Sequence, residues 1–263
     1  MQGETVMSHL LRFTAGLLLL ASFATAQAVQ LAYEPVGLGW SDEEVERASA
    51  GQMDALAERA EKSQKMGCAT HCERLDLVFN ELVAEAVTQT ARSATLPWSL
   101  LVVRLPDVNA FAMPNGRLAI SEPFIDRHLH TDETLAFVLA HEMVHSILEH
   151  ERQALTYARL LLPRQIVRSV KDMYVEIDFN ASLLMDMEPV MQQGEYEADE
   201  LGLLLASAAG FDPDRQIAFI EAQCRTDSAR QPMVATHPPA CQRHQALHAL
   251  LPLARRQLPV RLN

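Results

Sequence analysis

Positive charge is scarce in this chain: 22 lysines and arginines stand against 34 aspartates and glutamates, a formal net charge of -12 with a pI near 5.3. That balance argues against a general nucleic-acid or anionic-membrane surface, and leaves basic or unfolded polypeptide as a partner. No Gly-x-Ser-x-Gly elbow occurs, which removes one class of serine hydrolase. Internal repeats and low-complexity tracts are also lacking. No apolar run after residue 28 suits a bilayer, because Arg168, Lys171, Asp172, Glu176 and Asp178 interrupt the stretch from Arg164 to Met191. What the chain does have is apolar residues, 49% of 263, enough for one large domain or two small ones.

The first residues read as an export leader. Arg12 precedes the apolar run Leu17–Phe23, and small residues follow through Ala28, so residues 1–28 are expected to be cleaved after Ala26 or Ala28. The run is short for a membrane span and no Cys follows it to carry a lipid; an uncleaved anchor is the rival reading. The mature chain is expected in the periplasm. In an exported protein Cys68, Cys72, Cys224 and Cys241 suggest disulfides, with three pairings open. The simplest joins 68 to 72 and 224 to 241, although an i,i+4 bridge inside a regular helix is awkward. A metal site of Cys68, His71 and Cys72 is the alternative.

Ser41-Asp42-Glu43-Glu44 has the form of a capping box opening a helix to about Met66, and Thr70-His71-Cys72-Glu73 repeats the signal ahead of a second helix. Residues 29–96 are therefore expected to form a helical region. Pro97–Leu105 and Asn109–Met113 read as strands, and Pro114-Asn115-Gly116 turns the second back along Arg117–Ser121. If exposed, this edge can pair with an extended peptide through Phe111, Ala112 and Met113; an ordinary core hairpin is the alternative. The fold class expected is α+β, mainly helical, with a small sheet.

Chemistry centres on His141-Glu142-Met143-Val144-His145. On a helix His141 and His145 share a face one turn apart, so both imidazoles can reach one metal. Glu142 stands beside the remaining coordination position as a general base. The flanks are apolar enough for a buried helix, expected to start at Thr131 and run to about Leu162 before Pro163.

A third ligand is needed. The elongated HExxHxxGxxH pattern is excluded by Leu148 and Glu151. Glu195 and Asp199 lie one turn apart on a second helix, so Glu195 can bind metal while Asp199 accepts a hydrogen bond from a ligand imidazole. Glu197 is expected to point nearly the opposite way. Ala198 and Gly202 would allow close helix packing. An acidic helix start is the alternative explanation of these carboxylates.

Asn109–Gly116, the HExxH helix, Glu195-x-Glu197-Ala198-Asp199 and Thr236-His237-Pro238-Pro239 through Arg243 occur in the order seen in one metallopeptidase family. The chain resembles the gluzincin family of HtpX, the CAAX prenyl proteases and the periplasmic protease BepA (peptidase family M48), over roughly Trp98 to Leu250. The resemblance implies a zincin-like domain at residues 97–263 with the sheet beside the HExxH helix. It implies one Zn2+ per chain on His141, His145 and Glu195, Glu142 as base and Asp199 behind a ligand. It also implies catalytic roles for His237, as a loop histidine that latches the site, and for Arg243, steadying that loop or the substrate carbonyl. A turn-capping His237 is the alternative. Met143-Val144 replaces the family's usual Leu-Gly without removing a ligand.

The function expected is a zinc endopeptidase acting on unfolded or misassembled envelope proteins, with a link to the outer-membrane assembly machinery. The alternative is a zinc-stabilised chaperone or binding module for outer-membrane protein precursors. A disulfide between Cys224 and Cys241 would bracket His237 and limit its swing.

Overall fold

The computed structural model describes residues 39–163, 165–226 and 237–259. The expected leader, and the stretch 227–236 just ahead of His237, lie outside the described residues. Helices α1 (Asp42–Lys62), α2 (Cys72–Gln89) and α3 (Ala91–Thr95) lead into strand β1 (Ser99–Val103) and the hairpin of β2 (Ala110–Ala112) and β3 (Arg117–Ser121). Then come α4 (Glu122–His128), α5 (Asp132–Ile147), α6 (His150–Leu161), α7 (Val170–Phe179) and α8 (Ala181–Ala208). Helices α9 (Pro213–Gln216), α10 (Ala218–Thr226) and α11 (Ala240–Ala254) close the fold. The class is α+β and mainly helical. No helix among the described residues is long and apolar enough to cross a membrane.

Local chemistry explains most element starts. Ser41 and Glu44 form the reciprocal capping box of α1, whose Val45, Ser49, Met53, Leu56 and Ala60 recur at helical spacing as its buried face. Helix α2 departs from expectation. Thr70 does not cap it, and His71 stands at the N-cap with no side-chain hydrogen bond to the helix start. A distant carboxylate takes that role: Glu122 Oε1 accepts from the backbone N–H groups of Ala69 (2.9 Å), Thr70 (2.7 Å) and His71 (3.1 Å). Cys68 therefore sits outside the helix, so its disulfide to Cys72 needs no distortion of a regular turn. Cys224 and Cys241 form the second disulfide, which leaves no free thiol for the metal alternative.

Helix α5 is the axis of the core. Twelve of its 16 residues are buried, as expected of a helix covered on every side. Leu75, Val78 and Leu82 of α2, Leu118 and Ile120 of β3, Leu203–Ala206 of α8 and Leu247 of α11 pack with it in one cluster. The crossing with α8 is close because Gly202 has no side chain: a Cβ there would stand 2.9 Å from the His141 backbone nitrogen. A second cluster joins Trp40, Val45, Leu155, Val170, Met173, Leu183 and Met187.

The single helix expected from Thr131 to Leu162 is instead two. Helix α5 stops at Ile147, Glu149 takes the left-handed conformation (φ 59°, ψ 37°), and α6 begins at His150. For a residue other than glycine this costs on the order of 1 kcal/mol, and one local and one long-range charge contact hold it. The Glu149 carboxylate is ion-paired with Arg152 and lies 3.4 Å from Arg92. Arg92 in turn donates from Nε to the Ser146 carbonyl (3.0 Å) at the end of α5 and from Nη2 to the Pro114 carbonyl (3.1 Å).

In the sheet the order is β1-β3-β2, with β1 parallel and β2 antiparallel to β3, so β2 is an edge strand. Asn109 and Met113 bond backward to Ser121 and Arg117. By the alternation of an antiparallel ladder, Phe111 belongs to the same inward-bonded set, and Ala110 and Ala112 turn their backbone groups to the free edge.

Candidate metal centre

The α5–α8 crossing brings the side chains of both helices together. His141 Nε2 lies 3.1 Å from His145 Nε2 and 3.5 Å from Glu195 Oε2, and His145 Nε2 lies 3.6 Å from Glu195 Oε1. One donor atom from each of the three falls within a mutual 4.8 Å. Glu195 sits in the middle of α8, so the acidic helix start does not account for it.

The charges of this trio fit a cation. Burial opposes a charge on His141, but the Asp199 hydrogen bond and the neighbouring Glu195 outweigh it and push its pKa up to about 10. Burial likewise opposes ionisation of Glu195, yet His141 brings it down to about 2. Desolvation in the cleft and the facing His141 hold His145 well below the usual histidine range. The carboxylates thus draw one positive charge into the trio. Glu195 Oε2 is buried and accepts no hydrogen bond of acceptable geometry, although His237 Nε2 stands 3.2 Å away. An orphaned carboxylate oxygen converging with two imidazoles is a donor set of two nitrogens and an oxygen, the kind that holds zinc.

Glu142 occupies the cleft beside the trio. Burial pushes its carboxyl up to about 7, with Glu195 adding to the rise while His141 and the Ala112 backbone hydrogen bond restrain it. A carboxyl poised near neutrality can take and return a proton.

Behind His141, Nδ1 meets Asp199 Oδ1 at 3.1 Å, and Arg243 of α11 clasps Asp199 through Nε and Nη2, both at 2.6 Å. Burial alone would raise the Asp199 pKa; Arg243 and His141 lower it. Arg243, expected to touch the loop or the substrate carbonyl, is buried behind Asp199, two hydrogen bonds away from the metal donors. The disulfide between Cys224 and Cys241 ties the start of α11 to α10.

Behind His145 stands a pair that the sequence does not reveal. His150 Nδ1 lies 2.9 Å from His145 Nδ1, and His150 Nε2 lies 3.1 Å from Glu197 Oε2. Glu197 therefore does not point away from the site. Residues five apart cannot meet on a continuous helix, so only the break at Glu149 creates this contact, and no local signal marks it.

The cleft, about 650 Å3, extends from the trio between β2 and the helices α6, α7 and α8. Leu155, Ile177, Met187, Val190 and Met191 give it an apolar wall. His237 and Phe111–Met113 line it too. Met113 has its backbone already engaged: its N–H donates to Arg117, and its carbonyl accepts from Ser146 Oγ at 2.7 Å. The edge groups therefore belong to Ala110 and Ala112, rather than to Phe111 and Met113, and the Ala112 N–H is already given to Glu142.

Comparison with known proteins agrees with this geometry. The chain is 29% identical over 182 residues to the mitochondrial metalloendopeptidase OMA1 of Schizosaccharomyces pombe, covering 65% of this chain and 52% of that protein. It is 30% identical over 130 residues to the OMA1 of Arabidopsis thaliana (49% and 26% covered). It is 25% identical over 162 residues to the beta-barrel assembly-enhancing protease of Escherichia coli (56% and 33% covered). The chain thus spans about half or less of the length of these relatives. The pattern described as peptidase family M48 matches residues 73–251, from the start of α2 to the end of the core in α11, and the chain belongs to that family.

Proposed function

We propose that this chain is a zinc-dependent endopeptidase that cleaves unfolded or misassembled envelope proteins. The observation that carries the reading is the place of the Glu142 carboxyl, beside three converging donors in an apolar cleft bordered by a strand edge. One zinc ion on His141, His145 and Glu195 would supply Lewis acidity to the scissile carbonyl and to the attacking water. Glu142 takes a proton from that water and passes it to the leaving nitrogen, so water adds across the amide without a covalent intermediate. The backbone of Ala110 and the carbonyl of Ala112 pair with an extended peptide, which requires substrate to be unfolded and demands little of its side chains. The wall at Met187 and Met191 favours a bulky apolar side chain next to the scissile bond.

His237 acts as a latch in this reading: it stands 3.2 Å from Glu195 Oε2 at the mouth of the cleft. Two disulfides and the leader-like start support a periplasmic location. The name of the Escherichia coli relative supports a role near outer-membrane assembly.

Cleavage of an unfolded test protein by the zinc-loaded mature chain, beside its Glu142→Gln variant, tests the proposal. Expected is cleavage that falls at least about a hundredfold in the variant while zinc stays bound. Equal cleavage by both forms refutes the role of Glu142. The second reading, a binding module with a closed structural site, rests on the same 3.2 Å approach of His237. His237→Ala separates the two: faster cleavage supports a latch, and loss of zinc supports a structural ligand.

A further inference from the structure

We propose that His150 is the positioning residue of the second metal-binding imidazole, and that the left-handed turn at Glu149 exists to put it there. The inference rests on the assignment of His145 as a ligand. With Nε2 of His145 turned to the metal donors, its proton resides on Nδ1 and donates across 2.9 Å to Nδ1 of His150. His150 then carries its own proton on Nε2 and donates it across 3.1 Å to Glu197. The two bonds fix one tautomer at each ring and one orientation of His145, and they end on a carboxylate.

Three features show that this contact is built. At about 100° per residue, positions five apart on one continuous helix point about 140° away from each other. The break at Glu149 turns the chain so that the rings of His145 and His150 meet edge-on, centroids 4.9 Å apart. Glu149 is held in that conformation by Arg152 and Arg92 rather than by local preference. Finally, α8 leaves room for the ring: a Cβ on Gly194 would stand 3.3 Å from His150 Cγ. The His150 side chain is only 9% exposed, so water does not compete freely for Nδ1.

The test is zinc affinity and zinc release rate, read by competition with a chromophoric chelator in the full mature chain, independently of any cleavage. His150→Leu, which keeps bulk and removes both hydrogen bonds, is expected to weaken zinc binding about 10- to 100-fold. His150→Gln, which can accept from His145 and donate to Glu197, is expected to recover most of that loss. Glu197→Leu, a half-exposed position that does not carry the fold, is expected to speed zinc release by a smaller factor. Unchanged affinity in His150→Leu overturns the proposal. Equal loss in His150→Leu and His150→Gln overturns it as well, since ring packing rather than hydrogen bonding is then what matters. If His150→Leu does not fold, the other two variants decide: fast release in Glu197→Leu with His150→Gln near wild type sustains the proposal, and any other result overturns it. A wild-type chain that binds no zinc would refute the ligand assignment itself, and this inference with it.

Discussion

The two imidazoles of the candidate metal centre are supported in unlike ways. His141 leans on Asp199, which is locked by the buried guanidinium of Arg243, and α11 is fastened to α10 by a disulfide. His145 leans on a second imidazole and then on Glu197, whose side chain is 38% exposed at the cleft. One flank is charged, cross-linked and part of the core; the other is a relay of rings that opens to the cleft. Rigidity is thus concentrated where the helices cross, and the adjustable support faces the cleft.

The largest effect should come from removing the charged anchor. Asp199→Ala leaves Arg243 buried without its partner, and breaking such a pair costs about 3–5 kcal/mol, whereas Glu197→Ala should change stability by less than about 1 kcal/mol. Urea unfolding of the two variants checks this, and equal losses would abolish the distinction between the flanks. A sharper probe uses the glycines of α8. Gly202→Ala drives a methyl against the His141 backbone at 2.9 Å and should cost about 1–3 kcal/mol. Gly194→Ala meets only the His150 ring at 3.3 Å, and should mainly accelerate zinc release, with a smaller shift in the unfolding midpoint. If Gly194→Ala proves the more destabilising, the open flank is the rigid one.

A further probe calibrates acid titration away from both flanks. Burial would raise the Glu122 pKa, but the N–H groups of Thr70, Ala69 and His71 hold it below the usual value. A depressed carboxyl stabilises the fold above its unfolded pKa, about 4.3, and loses that contribution as pH falls through its folded value. Glu122→Gln should therefore be less stable at pH 7, by roughly 1–2 kcal/mol, and the gap to wild type should narrow below about pH 4. Melting temperatures between pH 7 and pH 3 decide it; a constant gap would assign the loss to packing.

Much of the crossing is legible in the residues themselves. Two imidazoles at i and i+4, two carboxylates at the same spacing, and Ala198 with Gly202 are periodic features, and periodicity survives into the structure because both helices are regular there. The hairpin is legible for the same reason, with Pro114-Asn115-Gly116 marking its turn. What escapes is whatever depends on distant partners. Nothing near Glu149 announces a left-handed residue, since its partner Arg152 fits a regular helix as well and Arg92 reaches it from α3. The cap of α2 comes from Glu122, far along the chain. Arg243 looks from its loop like a substrate contact, and only the packing of α11 against α8 turns it inward.

Helix α8 runs 28 residues, with Glu195 at the metal centre and Met187 and Met191 in the cleft wall, and it continues through Pro189. At about 1.5 Å per residue, Met187 and Glu195 are roughly 12 Å apart on one rod. Under the proposed function, a peptide seated against those methionines and an ion held by that glutamate would press on the same object. Whatever factor the peptide adds to metal affinity, the metal must return to peptide affinity. Under the proposed function, any coupling between metal supply and the burden of unfolded chains therefore runs through this one helix and acts equally in both directions.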